Sequence, residues 1–350
     1  MRKITGRLYG WLDDIYFNGK NKLFSRDPLL FAQGWGSDAC IEAVSDRLLQ
    51  PGNSHPIDVQ WKDPVRQQSG NYVRDGYFES PFFREHLPPE STRVNFRMVF
   101  PGLDAAYPLV LHTATTREDD YRSREITASA LAEKGIGTVL MEGPFRGSRR
   151  PSYQASANLA RFSDFFLLCG SAIEESRSLL QWLYDAGHRK LGIAGISKGG
   201  YIASVAGLHS RMPLGIATLV APHSGVPVFL EGLTRRMCDW RNMQSTCGAG
   251  SVKDKLRNLF LKTGLDSMIA PGPDKKVIVI GAVNDRFVPR NSYETMSRHW
   301  KNAEFRWLPG GHVSSILDRK SFVQAVGDAM TDFGGPDAGG NQRDFSQVAV

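Results

Sequence analysis

A serine lies between glycines in the stretch "LGIAGISKGG", residues 191–200. This G-x-S-x-G pattern, centred on Ser197, is typical of a nucleophile presented on a sharp turn between a strand and a helix. A serine hydroxyl attacks a carbonyl efficiently only when a base removes its proton and a third group orients that base. The chemistry therefore requires a histidine and a carboxylate elsewhere in the chain.

Two candidate partners follow later apolar runs. Asp285 comes after "KVIVIGA", and His312 lies in a glycine-rich loop after "EFRWLP". Without a catalytic role they would be a helix-capping aspartate and an ordinary loop histidine. On doubly wound sheets, however, a catalytic serine, acid and histidine follow each other in this order, each after a strand. We therefore interpret Ser197, Asp285 and His312 as nucleophile, acid and base.

Attack on a carbonyl creates an oxyanion, which needs two backbone N–H donors. The residue after the nucleophile, Lys198, is expected to supply one donor. The second is expected from the loop after "YPLVL", where Thr113 and Ala114 are the candidates and Ala114 is preferred.

The side chain of Lys198 also needs an explanation, because a cation in the first turn of a helix opposes the helix dipole. It pairs with Glu142 at the end of "GTVLME", or it attracts an anionic substrate, or it is simply solvated. The loop "EGPFRGSRRP" is expected to rim the pocket, and its Arg146, Arg149 and Arg150 are candidates for contact with a phosphate. Three residues in this region are the candidate substrate contacts: His112, Glu142 and Arg146.

The elements that position these residues follow an alternating pattern from residue 70 onward. Such alternation of strands and helices predicts an α/β fold with a mostly parallel sheet and helices on both faces. Eight strands are predicted: "YVRDGYF", "RVNFRMVF", "YPLVLHT", "GTVLME", "KLGIAGI", "GIATLVA", "KVIVIGA" and "EFRWLP". Helices are predicted at about 121–134, 157–186, 198–209, 289–301 and 320–333.

The pattern divides the chain into three parts. Residues 1–69 are predicted to be an extension that packs on the domain, and 70–333 to be the domain itself. Residues 222–270 interrupt the alternation and form a small helical insertion, which is either a lid or a plain surface excursion. The tail 334–350 is rich in glycine and polar residues and is expected to be disordered.

Composition excludes several classes of protein. The 350 residues are 41% hydrophobic and 23% charged, as in ordinary globular proteins, and no apolar stretch approaches the length of a membrane span. Metal-ligand and phosphate-loop motifs are missing, so neither a metal nor another cofactor is expected. The net charge of +7 favours anionic surfaces or substrates, but the sequence has no nucleic-acid module and no nucleic-acid partner is expected. Nothing in it points to one oligomeric state.

The basic, aromatic start of the chain, "MRKITGRLYGWLDDIYF", has three interpretations. It packs on the domain, contacts an anionic membrane surface, or directs targeting, although Asp13 and Asp14 are unusual in a transit peptide. The four cysteines follow no C-x-x-C spacing, which favours a reducing intracellular compartment. A cytoplasmic location is expected, or a mitochondrial one for a eukaryotic chain.

Together these residues resemble the α/β-hydrolase superfamily. Within it, "LYGWLDDIYF", "FAQGWG", "GYFESPF", "LHTATTREDDY", "MEGPFRGSRRP" and "GISKGGYIASVAG" are similar to the family of α/β-hydrolase domain-containing protein 18. The resemblance runs from the N-terminus to His312. It implies an eight-stranded sheet, a cofactor-free serine hydrolase with Ser197, Asp285 and His312 as its triad and, for animal members, a mitochondrial enzyme that deacylates phospholipids such as cardiolipin. Lys198 stands where the family has an apolar residue.

The sequence thus predicts a hydrolase that cleaves carboxylic esters through an acyl-enzyme, with a lipid or phospholipid ester as substrate. One alternative keeps the catalytic residues but assigns a small soluble ester, an amide or an acyl transfer. The other is a binding protein that has the fold without turnover.

Overall fold

The computed structural model describes residues 11–18, 27–103, 107–268 and 270–331. Its strands are β1 (Gln60–Trp61), β2 (Val65–Arg66), β3 (Tyr72–Glu79), β4 (Arg93–Phe100), β5 (Leu109–His112), β6 (Gly137–Met141), β7 (Leu191–Ile196), β8 (Leu214–Leu219), β9 (Lys275–Ala282) and β10 (Glu304–Leu308). Its α-helices are α1 (11–18), α2 (Asp38–Leu49), α3 (Arg122–Ala132), α4 (Phe162–Asp185), α5 (Lys198–Leu208), α6 (Trp240–Thr246), α7 (Val252–Lys262), α8 (Arg290–His299), α9 (His312–Leu317) and α10 (Arg319–Ala329).

The strands form one sheet in the order β1-β3-β4-β6-β5-β7-β8-β9-β10, and β2 pairs with β3. From β6 to β10 all neighbours are parallel, whereas β3 and β4 join this part as antiparallel strands. This arrangement confirms the predicted α/β-hydrolase fold, and each of the eight predicted strands is present. The two additional strands, β1 and β2, have two residues each, which is too short for a detectable period.

Helices cover both faces of the parallel strands, which explains their continuous apolar runs. Successive residues point to opposite faces. Ile193 packs in the core shared with α2, α4 and α5, whereas its neighbour Ala194 packs in a second core formed with α10. In the same way Ile216 and Ala217 of β8 face opposite sides.

The register aligns the carboxyl ends of the parallel strands along one edge of the sheet. His112 at the end of β5 pairs with Ala194 of β7, and Leu219 at the end of β8 pairs with Ile196. Loops that follow these strands therefore meet at this edge, as is usual for ligand sites in open α/β sheets. The residues predicted to do chemistry all follow strands at this edge.

The segment before the sheet packs against the domain. Helix α2, which sequence analysis did not assign, packs on α4. Just before α2, the ring of Trp35 stacks on Phe162 at 4.7 Å, between Gly34 and Gly36, which both have positive φ angles. The short "GWG" motif thus joins the extension to the first turn of α4.

The insertion between β8 and β9 consists of a π-helical turn (Pro227–Glu231), a 3₁₀ turn (Leu233–Arg236), α6 and α7. Phe229 stacks on Phe260 of α7, with ring centroids 5.6 Å apart. Both rings also contact aromatic side chains of α4, so the insertion covers the carboxyl edge of the sheet.

The predicted disordered tail, 334–350, lies outside the described residues, as do parts of the basic N-terminal segment. Within the described ranges, no helix is long and apolar enough to cross a membrane.

Candidate active site

Ser197 lies between β7 and α5 in a conformation that few non-glycine residues adopt, with φ 55° and ψ −122°. Such backbone strain costs about 1–3 kcal/mol and persists where the surrounding fold enforces it. The turn is tight, because a Cβ atom on Gly195 would collide with the carbonyl of Gly199. A Cβ atom on Gly199 would in turn lie 2.9 Å from the carbonyl oxygen of Ala114. The flanking glycines therefore allow the serine side chain to project from the edge of the sheet.

His312 bridges the serine and the predicted acid. Its Nε2 lies 3.0 Å from Ser197 Oγ, and its Nδ1 lies 2.7 Å from Asp285 Oδ2. The sequence predicts His312 in a glycine-rich loop, but in the structure it is the first residue of the short helix α9, after Gly311. The structure thus brings the three residues together in hydrogen-bonding order, with the imidazole held from both sides.

Asp285 is held by three further donors. Its Oδ1 accepts the backbone N–H groups of Phe287 and Val288 at 2.9 and 2.7 Å, and its Oδ2 accepts the hydroxyl of Tyr293 at 2.9 Å. Tyr293 is fully buried in α8. Sequence analysis did not single out Tyr293, because a tyrosine inside a predicted helix carries no pattern that distinguishes it from a core residue.

A second buried carboxylate, Asp13 of α1, supports the base. Its oxygens accept the N–H groups of His312 and Val313, both at 2.9 Å, and that of Arg286 at 3.1 Å. The amides of His312 and Val313 lie in the first turn of α9, where they have no acceptor within the helix, and that of Arg286 lies in the loop that carries Asp285. The side chain of Asp13 therefore connects this loop with the start of α9. In the sequence, the only signal at Asp13 is an acidic residue within a basic segment, which does not indicate a contact with His312.

The buried environment shifts the pKa values of His312 and Asp13. Burial alone would lower the pKa of His312, but the charge of Asp285, its hydrogen bond and the charge of Asp13 outweigh burial, and the net pKa is raised above 6.5. Burial raises the pKa of Asp13, and the three amide donors offset this only in part. The protonated form of His312 is therefore stabilised by two buried carboxylates.

The candidate oxyanion donors differ in availability. The N–H of Thr113 donates to the carbonyl of Ala194 at 3.0 Å, so Thr113 is excluded as a donor. Its hydroxyl instead binds the carbonyl of Gly199 at 2.7 Å and fixes the loop against α5. The amide of Ala114 has no acceptor among the described residues, and that of Lys198 lies in the first turn of α5. Ala114 and Lys198 thus remain as the two candidate donors.

Two of the predicted substrate contacts are wrong. His112 is buried with its ring against Phe322 of α10, at 5.3 Å, and burial followed by the nearby Arg124 lowers its pKa well below 6.5. Glu142 accepts the N–H and hydroxyl of Ser148 at 2.6 and 2.7 Å, which fixes its own loop. The hypothesis that Glu142 pairs with Lys198 is therefore also wrong.

Of the three arginines in "GPFRGSRRP", only Arg146 lines the cavity beside Ser197 and His312 that is described below. Arg149 is completely buried and binds Glu175 of α4 through two contacts of 2.6 and 2.9 Å. Arg150 pairs with Asp119. The motif is thus mainly a structural connection between this loop and α4.

A cavity of about 440 Å³ lies at the carboxyl edge of the sheet, where Ser197 and His312 form part of its wall. Aromatic side chains from the extension, α4 and the insertion make up much of the rest: Phe31, Phe165, Phe229 and Phe260. Val288, in the loop after β9, also lines it. Arg117, Arg146 and Lys198 contribute basic side chains to the same cavity, and Asp27 contributes an acidic one. No cluster of metal-ligating side chains occurs in the part of the chain that the structure describes.

Comparison with known proteins agrees with this architecture. The model of the family "Alpha/beta hydrolase domain containing 18" matches residues 29–263 and 249–331, which include Ser197, Asp285 and His312. This chain belongs to that family. The resemblance inferred from sequence motifs is thereby confirmed.

Two curated relatives from Mycobacterium tuberculosis, "Uncharacterized protein MT2702" of strain CDC 1551 / Oshkosh and "Uncharacterized protein Rv2627c" of strain H37Rv, are each 32% identical over 180 residues. The match covers 50% of this chain but 41% of each relative, so it spans about two fifths of their length.

Solved structures of other proteins have a fold similar to that of this chain. The acetyl xylan esterase from Paenibacillus sp. R4 superimposes with a TM-score of 0.56 at 11% identity, over 86% of this chain and 96% of the esterase. Acetyl xylan esterase 1 from Thermoanaerobacterium sp. JW/SL YS485 gives 0.51 at 12% identity, over 85% and 96%. At such low identity these similarities show a common fold and no more.

Proposed function

We propose that this protein is a serine hydrolase that cleaves carboxylic esters through an acyl-enzyme. The observation that supports this most directly is the hydrogen-bonded series from Ser197 through His312 to Asp285, at the wall of an apolar cavity. Distances of 3.0 and 2.7 Å lie within the range for proton transfer between a nucleophile and its base.

In the proposed reaction, Ser197 Oγ attacks the ester carbonyl while His312 Nε2 takes its proton. The carbonyl oxygen becomes an oxyanion, which accepts hydrogen bonds from the amides of Lys198 and Ala114. His312 then protonates the leaving alcohol, and an acyl group stays on Ser197. Water attacks this acyl-enzyme with His312 as base, and the acid product leaves. Asp285 keeps the imidazole oriented and compensates its positive charge in both steps.

A lipid-like acyl chain is the proposed substrate class. The cavity is lined mainly by apolar side chains, and its volume is within the usual range for pockets that bind small organic molecules. Residues at its mouth are both apolar and exposed: Leu317 is 70% exposed and Leu29 49%. Such exposed apolar side chains at the entrance favour a substrate that enters the cavity from a lipid aggregate or membrane.

Helix α1 extends this exposed apolar surface. Trp11 and Ile15 are exposed on it at helical spacing, whereas Asp13 and Phe17 of the same helix are buried against the domain. An amphipathic arrangement of this kind, together with the positive net charge, favours peripheral contact with an anionic lipid surface.

The experiment that tests the proposal is labelling with a fluorophosphonate probe, followed by peptide mapping. Wild-type protein is expected to label at Ser197, and Ser197→Ala to abolish labelling and turnover. Ser251→Ala, which removes an exposed hydroxyl in the insertion, serves as the control and should label like the wild type. Absence of labelling in a folded wild-type protein would instead favour a non-catalytic binding protein.

A series of nitrophenyl esters of increasing acyl length then separates the substrate classes. We expect kcat/KM to rise with chain length until the cavity is filled, because each buried methylene contributes about 0.8 kcal/mol. A decline from the shortest ester onward would favour a small soluble substrate.

A further inference from the structure

Three basic side chains line the cavity: Arg117, Arg146 and Lys198. Arg117 pairs at 3.0 Å with Asp27, which also lines the cavity. Lys198 follows Ser197 directly, is 9% exposed and lines the cavity. Arg146 lines it as well and is 2% exposed. One Nη of Arg146 donates to the carbonyl of Ala157, whereas its buried Nε has no partner within the described ranges. The Lys198 ammonium has no hydrogen-bond or ion-pair partner among the described residues.

The neighbouring carboxylates are already occupied by other groups. Glu118 binds Arg124 at 2.8 Å and accepts the N–H of Thr115 at 3.0 Å. Asp119 pairs with Arg150 and also accepts the N–H of Gly147. Lys198 and Arg146, unlike Arg117, are thus left without a counter-ion at hydrogen-bond distance among the described residues.

This arrangement is costly unless a ligand compensates it. A buried charge is unfavourable without a partner, and two like charges at one wall repel each other. Burial, with the charge of Arg146 next, lowers the pKa of Lys198 to about 8, so that the ammonium form still predominates at neutral pH. An anion at this wall would remove both costs at once, since it would bind the free donors and cancel the repulsion.

We propose that Lys198 and Arg146 form a subsite for an oxyanion group, a carboxylate or a phosphodiester, which the ester substrate carries close to its scissile carbonyl. The proposal rests on the serine hydrolase function and adds a charge requirement to it. Because Lys198 is adjacent in sequence to Ser197, the anion and the reacting carbonyl must belong to the same small region of the substrate. A carboxylate would lie on the acyl part, and a phosphodiester on the alcohol part.

Two pairs of substrates distinguish these sources. The first pair compares the nitrophenyl monoester of glutaric acid with nitrophenyl pentanoate, which has the same acyl length but no carboxylate. The second pair compares phosphatidylglycerol with diacylglycerol of the same acyl chains in mixed micelles. For each pair the readout is the ratio of kcat/KM for the anionic substrate to that for the neutral one.

The variants are Lys198→Met and Arg146→Lys, with Lys301→Met as the control. Lys301 is exposed, so its substitution makes the same change in net charge outside the cavity. In one of the two pairs, Lys198→Met is expected to lower the ratio on the order of 30-fold, whereas the control leaves it at the wild-type value. Arg146→Lys keeps the charge but loses the planar donors and is expected to lower the ratio less.

A wild-type ratio near one in both pairs, or a ratio that Lys198→Met does not change, would overturn the subsite. Thermal unfolding shows whether each variant is folded, and Lys198→Gln replaces the methionine variant if that does not fold. Calorimetric titration with monomethyl glutarate and with the phosphodiester glycerophosphoglycerol measures anion binding independently of turnover. Failure of labelling at Ser197 would overturn the proposed function, whereas labelling with no charge preference and no anion binding would overturn the subsite alone.

Discussion

The contact between Asp13 and His312, the proposed catalytic base, predicts that the substitution Asp13→Asn lowers kcat with little effect on KM. Asp13 does not line the cavity, but it accepts amides from both the acid loop and α9. An asparagine oxygen in the position of Oδ2 can still accept the amides of His312 and Arg286. Its NH₂ group then faces the N–H of Val313, which loses its acceptor.

The magnitude follows from these bonds. Loss of one acceptor from a buried amide costs about 1–3 kcal/mol, and the two remaining bonds weaken because the acceptor is no longer charged. Burial raises the pKa of Asp13, which shows that its charged form is unfavourable in this position. Replacement by a neutral side chain therefore offsets part of this loss. We expect a net destabilisation of about 2 kcal/mol and a fall in the melting temperature of a few degrees. Displacement of His312 by a fraction of an ångström is expected to lower kcat about 10-fold.

The assay is kcat/KM for a neutral nitrophenyl ester as a function of pH. Because the charge of Asp13 raises the pKa of His312, the acidic limb of the profile is expected to move to lower pH in the variant. Asp14→Asn is the matched control, because Asp14 pairs with the partly exposed guanidinium of Arg286. Its effect on kcat should be about twofold or less. If Asp13→Asn keeps the wild-type kcat and the wild-type acidic limb, α1 does not position the base.

Three further predictions concern charge, stability and size. The preference for an anionic substrate is expected to fall as pH rises through about 8, because Lys198 loses its proton there, and a profile that stays flat to pH 9 would contradict this. Arg149→Met is expected to lower the free energy of unfolding in urea by about 3–5 kcal/mol, since Glu175 is left as an unpaired buried charge. Arg149→Met combined with Glu175→Gln should recover part of that loss, and an equal loss in the double variant would show that packing matters more than charge. Phe229→Ala removes a ring that lines the cavity, and the optimum of the ester series is expected to shift to longer acyl chains, at a stability cost of about 3–5 kcal/mol. An unchanged optimum would mean that the acyl chain binds elsewhere.

Much of the fold could be predicted because the decisive signals are local. Continuous apolar runs such as Val277–Ile280 indicate strands covered on both faces, and the structure has them in β9 with alternate residues in separate cores. The order of Ser197, Asp285 and His312 along the chain was sufficient to predict that they meet, because parallel strands bring their following loops to one edge. The two-residue strands and α2 were not predicted, since the former are too short to show a period and α2 lies in a region where no strand alternation guided the assignment.

The surroundings of these residues depended on tertiary structure. Asp13 contacts His312 across 299 positions of sequence, and no local pattern records such a distance. Likewise, His112 ends β5 and Glu142 directly follows β6 at the same edge of the sheet. The side chain of His112 packs in the core, however, and that of Glu142 binds its own loop. The sequence by itself determined the α/β architecture and the order in which Ser197, Asp285 and His312 follow their strands, through periodicity and chain order. Only the tertiary structure decided which carboxylates are occupied and which cations are buried without a partner, because desolvation and pairing depend on every surface that packs around a group.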